Sequence, residues 1–67
     1  MEMELKCLLK VRLAEKEMKL KELSEMTGIH YTHLSGINRG KIFPELPTAY
    51  KIAEAMDMLI EDIWIKK

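Results

Sequence analysis

Glu22-Leu23-Ser24-Glu25-Met26-Thr27-Gly28-Ile29, followed by Leu34-Ser35, Ile37 and Gly40-Lys41, joins two short amphipathic segments through a single glycine. Leu20, Leu23 and Met26 recur at three-residue intervals and stop at Gly28, the residue best suited to the left-handed position beyond a helix end. The spacing predicts a helix over about Lys19 to Thr27. Beyond the glycine, Ile29, Leu34 and Ile37 mark the inner side of a helix over Ile29 to Asn38, which leaves Tyr31, Thr32, His33, Ser35 and Gly36 on a polar but uncharged remainder. Two helices of about nine residues joined by a tight turn have the dimensions of a helix-turn-helix.

Outward from this unit, Leu5, Leu9 and Leu13 recur every four residues among Lys6, Lys10, Glu15 and Lys16, the stripe of a first helix over about Glu4 to Lys16. On the other side Arg39-Gly40-Lys41 ends the third helix. Pro44 and Pro47 then mark a loop, with Pro47 suited to the first turn of a helix over Thr48 to Met56 that turns Ala49, Ile52, Ala53 and Met56 inward. Asp57-Met58 breaks that helix. Ile60, Ile63 and Trp64 form a short fifth helix or turn, and Ile65-Lys66-Lys67 frays or lies as a strand against the N-terminus. Without sustained period-two alternation, the expected fold is all-α, with five short helices around one core in a single domain over residues 1–67.

Sixty-seven residues, 48% hydrophobic and 33% charged, suit one small globular unit. Ordering such a chain costs on the order of 100 kcal/mol, so nearly every apolar side chain is needed in one core and little remains for a deep pocket. The lone Cys7 has no disulfide partner within the chain, which fits a reducing cytoplasm. The acidic start Met1-Glu2-Met3-Glu4 is unlike a secretion signal, and no apolar run approaches the roughly 20 residues that span a bilayer, so neither export nor a membrane partner is expected.

Eleven basic and eleven acidic residues give zero formal charge, which by itself selects no polyanionic partner. The distribution is uneven. Between Met26 and Pro44 there is no acid, while His30, His33, Arg39 and Lys41 fall inside that stretch, and Glu45, Glu54, Asp57, Glu61 and Asp62 all follow it. One face tolerant of phosphate is compatible with overall neutrality.

The order and spacing of the residues around Gly28 resemble the lambda-repressor and Cro type of helix-turn-helix, the Xre family. Pro44 with Leu46, then Lys51-Ile52-Ala53-Glu54-Ala55-Met56 and Glu61-Asp62-Ile63, look like that family's fourth and fifth helices, so the likeness spans about residues 9–64. The resemblance implies a sequence-specific DNA-binding regulator, a repressor that occupies an operator as a homodimer on double-stranded DNA. It implies His30 at the cap of a recognition helix, Tyr31, Thr32, Ser35 and Gly36 nearest the base edges, and His33 between the buried and groove-facing sides. Asn38, Arg39 and Lys41 would contact phosphates, and Lys19 and Lys21 would reach the backbone from the start of the second helix. Ser24 is small enough for the two helices to cross closely. Two positions depart from the family's habit: Leu20 stands where a bracing glutamine is common, and Gly36 where a side chain often reads a base.

Other chemistries are poorly served. His30 and His33 have no neighbouring carboxylate or thiol to complete a metal shell, and Met18, Met26, Met56 and Met58 fall at core spacing. Ser24, Ser35, the histidines, Asp57 and Asp62 show no nucleophile and base spacing, and there is no glycine-rich phosphate loop. No enzyme, cofactor, metal or small-molecule ligand is expected. The rival reading is a protein-interaction module, an adaptor, antitoxin or antirepressor that keeps the fold and docks a partner through the third helix.

Overall fold

The order of elements in the computed structural model, which describes residues 4–66, is β1 (Leu5–Cys7), α1 (Leu9–Glu15), α2 (Leu20–Thr27), α3 (Tyr31–Asn38), α4 (Leu46–Ala55), α5 (Ile60–Ile63) and β2 (Trp64–Lys66). Met1 to Met3 and Lys67, which entered the reading of the two ends, lie outside the described residues.

Three of the helices stop by one device. In α1, α3 and α4 the amide two residues past the cap donates back to the third-last carbonyl: Met18 to Leu13 at 2.9 Å, Lys41 to Gly36 at 2.9 Å and Met58 to Ala53 at 2.9 Å. The preceding residue donates as well, Glu17 to Ala14, Gly40 to Ile37 and Asp57 to Glu54, so each end satisfies carbonyls that would otherwise be orphaned. This closure needs a left-handed residue between cap and return. Gly40 supplies it at φ 76°, but in α1 and α4 the residues are Glu17 at φ 52° and Asp57 at φ 57°. Met18 and Met58, just beyond, then fold back against the core.

The core is made of Leu9 and Leu13 from α1, Leu23 from α2, Leu34 and Ile37 from α3, Ala49, Ile52, Ala53 and Met56 from α4, and Ile63 with Trp64 at the C-terminal end. Helix α2 packs against both α3 and α4. Five helices around this core match the expected architecture, with a two-stranded sheet added.

The sheet corrects the expected first helix. The leucine spacing predicts a helix from about Glu4, but Leu5–Cys7 form a strand antiparallel to Trp64–Lys66, in register Leu5 with Lys66, Lys6 with Ile65 and Cys7 with Trp64. Leu8 then leaves helical geometry at φ −106° and ψ 20°, and its amide donates to Ile63 O at 2.7 Å. Arg12 strengthens the tie from α1, donating through Nε to Asp62 O at 2.7 Å. The strand pairing offered as one possibility for the C-terminal segment is the arrangement observed.

Met26 is a second correction, since it is 58% exposed rather than part of the core. At about 100° per residue it lies roughly 120° round the helix from Leu20, and the inward face of α2 is closed instead by half-buried Leu20, Ser24 and Thr27 around buried Leu23.

Because Gly40 and Asp57 share one backbone role, substitutions there should act with opposite signs. Gly40→Ala is expected to lower stability by about 1 kcal/mol and Asp57→Gly to raise it by about 0.5–1 kcal/mol, read from urea unfolding midpoints at unchanged slope. Equal signs would contradict the shared role.

Candidate nucleic-acid interface

The turn between α2 and α3 is built by three neighbouring residues. Gly28 takes φ 77° and its amide donates to Ser24 O at 2.9 Å. Ser24 Oγ donates to Ile29 O at 2.5 Å. Thr27 Oγ1 donates to Leu23 O at 2.8 Å and accepts from the Ile29 amide at 3.2 Å. The backbone groups freed by the turn are therefore recaptured by α2 side chains, which fixes the direction in which α3 departs. Ser24 thus does more than leave room for a helix crossing.

His30 caps α3 through Nδ1, which accepts from the Thr32 amide at 3.2 Å, as expected for the capping position. That bond requires an unprotonated Nδ1. Leu34 and Ile37 are fully buried beneath the helix. On the outer side Tyr31 is 51% exposed, Thr32 and His33 are exposed and Ser35 is half-buried, so these four side chains share an accessible rim on a helix of eight residues, about 12 Å long. His33, whose side was open from sequence, belongs to the exposed set.

Gly36 does not. It is buried, and a Cβ built on it would stand 2.5 Å from Ile42 Cδ1 and 3.1 Å from Ile42 Cγ1. Both the Lys41 and Ile42 amides return to Gly36 O, at 2.9 and 3.2 Å, so the loop after α3 folds over the glycine. Gly36 therefore admits Ile42 and lies beneath the loop, apart from the exposed side chains with which the sequence groups it. Asn38 is half-buried, with Oδ1 enclosed and unpartnered beside the cleft of about 240 Å³ that Cys7, Arg39 and Trp64 also line. Only its amide NH₂ remains to meet a phosphate.

The cations flank the rim. Lys19 caps α2 and Lys21 follows in its first turn, both exposed, while Arg39 and Lys41 are exposed past the end of α3. Leu20, between the first two, packs against the core, so its departure from the family's habit is a packing role. The Glu22 carboxylate accepts from the Lys19 amide at 2.9 Å and is occupied in closing the start of α2. Glu25 was not singled out by sequence reasoning. It lines a cleft of about 410 Å³ with Lys21, Ser24 and Tyr31, placing one carboxylate beside the exposed rim of α3. Its signal was available: Glu25 is the last acid before the acid-free stretch and lies one helical turn beyond Lys21.

Four of the late acids collect elsewhere. Glu54, Asp57, Glu61 and Asp62 line a cleft at the α4 and α5 corner to which no residue of α3 contributes. Among the described residues, no three His, Cys, Asp or Glu side chains are grouped to hold a metal ion, and no helix is long and apolar enough to cross a membrane.

With the turn, cap and rim in place, the likeness to known proteins is specific. The pattern of the Cro/C1-type HTH DNA-binding domain matches residues 8–65. The chain belongs to that family. It is also 39% identical over 59 residues to the SPbeta prophage-derived uncharacterized HTH-type transcriptional regulator YopS of Bacillus subtilis (strain 168), an alignment covering 87% of this chain and 80% of the relative. The family is one of DNA-binding transcription regulators and not of enzymes, and this Cro/C1-type chain is a DNA-binding regulator.

The Gly36 and Ile42 contact has a measurable signature. Alanine in a helix interior is ordinarily worth about 1 kcal/mol over glycine, but here the added methyl must displace Ile42. Gly36→Ala is therefore expected to change stability by less than about 0.5 kcal/mol in the native chain and to stabilise by about 1 kcal/mol in an Ile42→Ala background. A denaturant double-mutant cycle measures the difference, and equal effects in both backgrounds would refute the contact.

Proposed function

We propose that this Cro/C1-type protein is a repressor that acts in the cytoplasm by occupying a pseudo-palindromic operator as a homodimer, with one α3 in each of two successive major grooves. The observation that carries the reading is the rim of α3: Tyr31, Thr32, His33 and Ser35 are accessible, free of charge apart from histidine, and carried on a helix whose other side is anchored by Leu34 and Ile37. A rim of this kind suits a groove about 12 Å wide, where base edges offer donors, acceptors and the thymine methyl.

In this reading Thr32 and Ser35 meet base edges, and Tyr31 reaches either a base or a phosphate. His30 holds the start of α3, while Lys19, Lys21, Arg39 and Lys41 hold the backbone and set register. An eight-residue helix covers only four or five base pairs, too few to define a unique site, which is why two copies about 34 Å apart are required. Repression by occupancy needs nothing beyond this domain: bound protein excludes whatever else must use the same DNA.

Glu25 beside Tyr31 supports the second reading, a protein-docking module, because a carboxylate at the rim repels phosphate. Salt separates the two. Four cations per copy imply about eight phosphate contacts per dimer, so affinity for DNA should fall about 10⁴-fold between 50 and 200 mM salt, as measured by fluorescence anisotropy. Absence of binding at 50 mM would favour protein docking.

Two substitutions distinguish reading from holding. Thr32→Ala should cost about 1–3 kcal/mol on the preferred operator and relax preference at one base position, whereas Arg39→Ala should weaken all sequences alike and lower the salt slope by about one. Selection of bound sequences from a random pool, repeated with each variant, reads both effects. The reverse pattern would show that the groove-facing edge has been misassigned.

A further inference from the structure

We infer that Trp64 is a positioning residue for DNA binding: its indole N–H donates to Asn38 Oδ1 as α3 seats, which holds the Asn38 NH₂ outward on a phosphate. The inference rests on the DNA-binding reading above, in which Asn38 meets the backbone, and it gives a part to a residue that the reading leaves in the core.

Two enclosed side-chain polar atoms have no hydrogen-bond partner among the described residues, Trp64 Nε1 and Asn38 Oδ1. They are complementary. An indole nitrogen only donates, and a carboxamide oxygen only accepts. Both residues line the cleft of about 240 Å³ between the sheet and the C-terminal end of α3. An enclosed polar atom without a partner costs more than an ordinary hydrogen bond returns, so two of opposite sense in one cleft mark an arrangement that a small movement completes.

The sheet brings the two residues to the same place. Cys7 and Trp64 stand opposite each other in register, and directly opposed residues of an antiparallel pair project from one face. On that face Cys7 Sγ donates to Ile37 O at 3.5 Å, the carbonyl that also accepts from the Gly40 amide at 3.0 Å. This carbonyl belongs to the peptide that joins Ile37 to Asn38, so the face carrying the indole meets α3 next to Asn38. Trp64 is 6% exposed and Asn38 is half-buried. The indole is therefore held by the core, and the carboxamide is the partner that turns.

A donor inside decides which end of the carboxamide faces out. With Oδ1 on the indole, the NH₂ is left for an acceptor, and a phosphate oxygen is one. The reverse orientation sets NH₂ against N–H and turns an oxygen toward phosphate, which is unfavourable at both ends. In the free chain the pair is open, and a phosphate supplies the second bond that closes it. The two bonds favour one orientation, so each strengthens the other, and the coupling is reciprocal. Asn38 is the last residue of α3 and Arg39 follows it, so phosphate contacts at this end of the helix are set from the sheet.

Trp64 is the only tryptophan, so a nitrogen-labelled chain gives a single indole N–H resonance by NMR. Saturation with a site selected from random DNA should move its proton downfield and slow its exchange with solvent in the native chain and in Arg39→Ala, but not in Asn38→Ala. Affinity for the same site, measured by fluorescence anisotropy, should fall about fivefold per bound copy in Trp64→Phe, and by less than about twofold when Asn38 is already alanine. A tryptophan that only packs in the core would lower affinity equally in both backgrounds, and its resonance would not depend on Asn38. Equal losses, or an indole resonance that DNA leaves unmoved in the native chain, would overturn the assignment, and the second result needs no substitution in the core. A native chain that binds no DNA would defeat the regulator reading and this inference together, whereas tight binding with either contrary result defeats this inference alone.

Discussion

The departure of α3 from α2 is set by one left-handed glycine and the side chains of Ser24 and Thr27, and the direction in which the exposed rim of α3 faces depends on that angle. Each hydrogen bond contributes only about 1 kcal/mol net, but leaving the partly enclosed Ile29 carbonyl and amide unpaired would cost more than their presence adds. The turn therefore has few alternative geometries. With the direction fixed, burial of Leu34 and Ile37 fixes the rotation of α3 about its own axis, and the exposed rim follows as the complement of what is buried.

A second constraint acts from the other end of α3. The Gly40 closure and the packing of Ile42 on Gly36 bring the following loop back over the helix, so α3 is clamped at both termini by backbone geometry. Arg39 and Lys41 are carried on that clamp. Their charges thus have defined positions relative to the rim, which is what phosphate contacts need if they are to set register. The short sheet plays a comparable part beside the C-terminal end of α3, joining the two ends of the described chain through Leu8, Ile63 and the Cys7 and Trp64 pair.

Much of this was legible in the sequence because its determinants are local. Gly28, Gly40, Pro47 and the spacing of Leu23, Leu34 and Ile37 each announce their structure within a few residues, and His30 fell at the cap. What was illegible depends on partners distant in sequence or on residues in unaccustomed roles. Leu5 keeps helical spacing with Leu9, yet it is a strand residue because Lys66 pairs with it across the whole chain. Glu17 and Asp57 hide two helix ends, since acidic residues hold left-handed positions where glycine is the readable signal. Gly36 gives no hydropathy signal, having no side chain, so the sequence groups it with the exposed residues of α3. A glycine inside a helix costs about 1 kcal/mol and so calls for a packing reason, which was the available clue. Glu25 lay outside the acid-free stretch by one residue in sequence, yet in space it lines the same cleft as Tyr31.

The most direct test of the account is chemical protection of bound DNA, because the two grooves expose different atoms. Guanine N7 lies in the major groove and adenine N3 in the minor groove, and dimethyl sulfate methylates both. On a selected site, the protein should shield guanine N7 positions in two clusters one helical turn apart on one face of the duplex, leaving adenine N3 between them reactive. Tight binding that shields adenine N3 and leaves guanine N7 open would contradict the placement of α3.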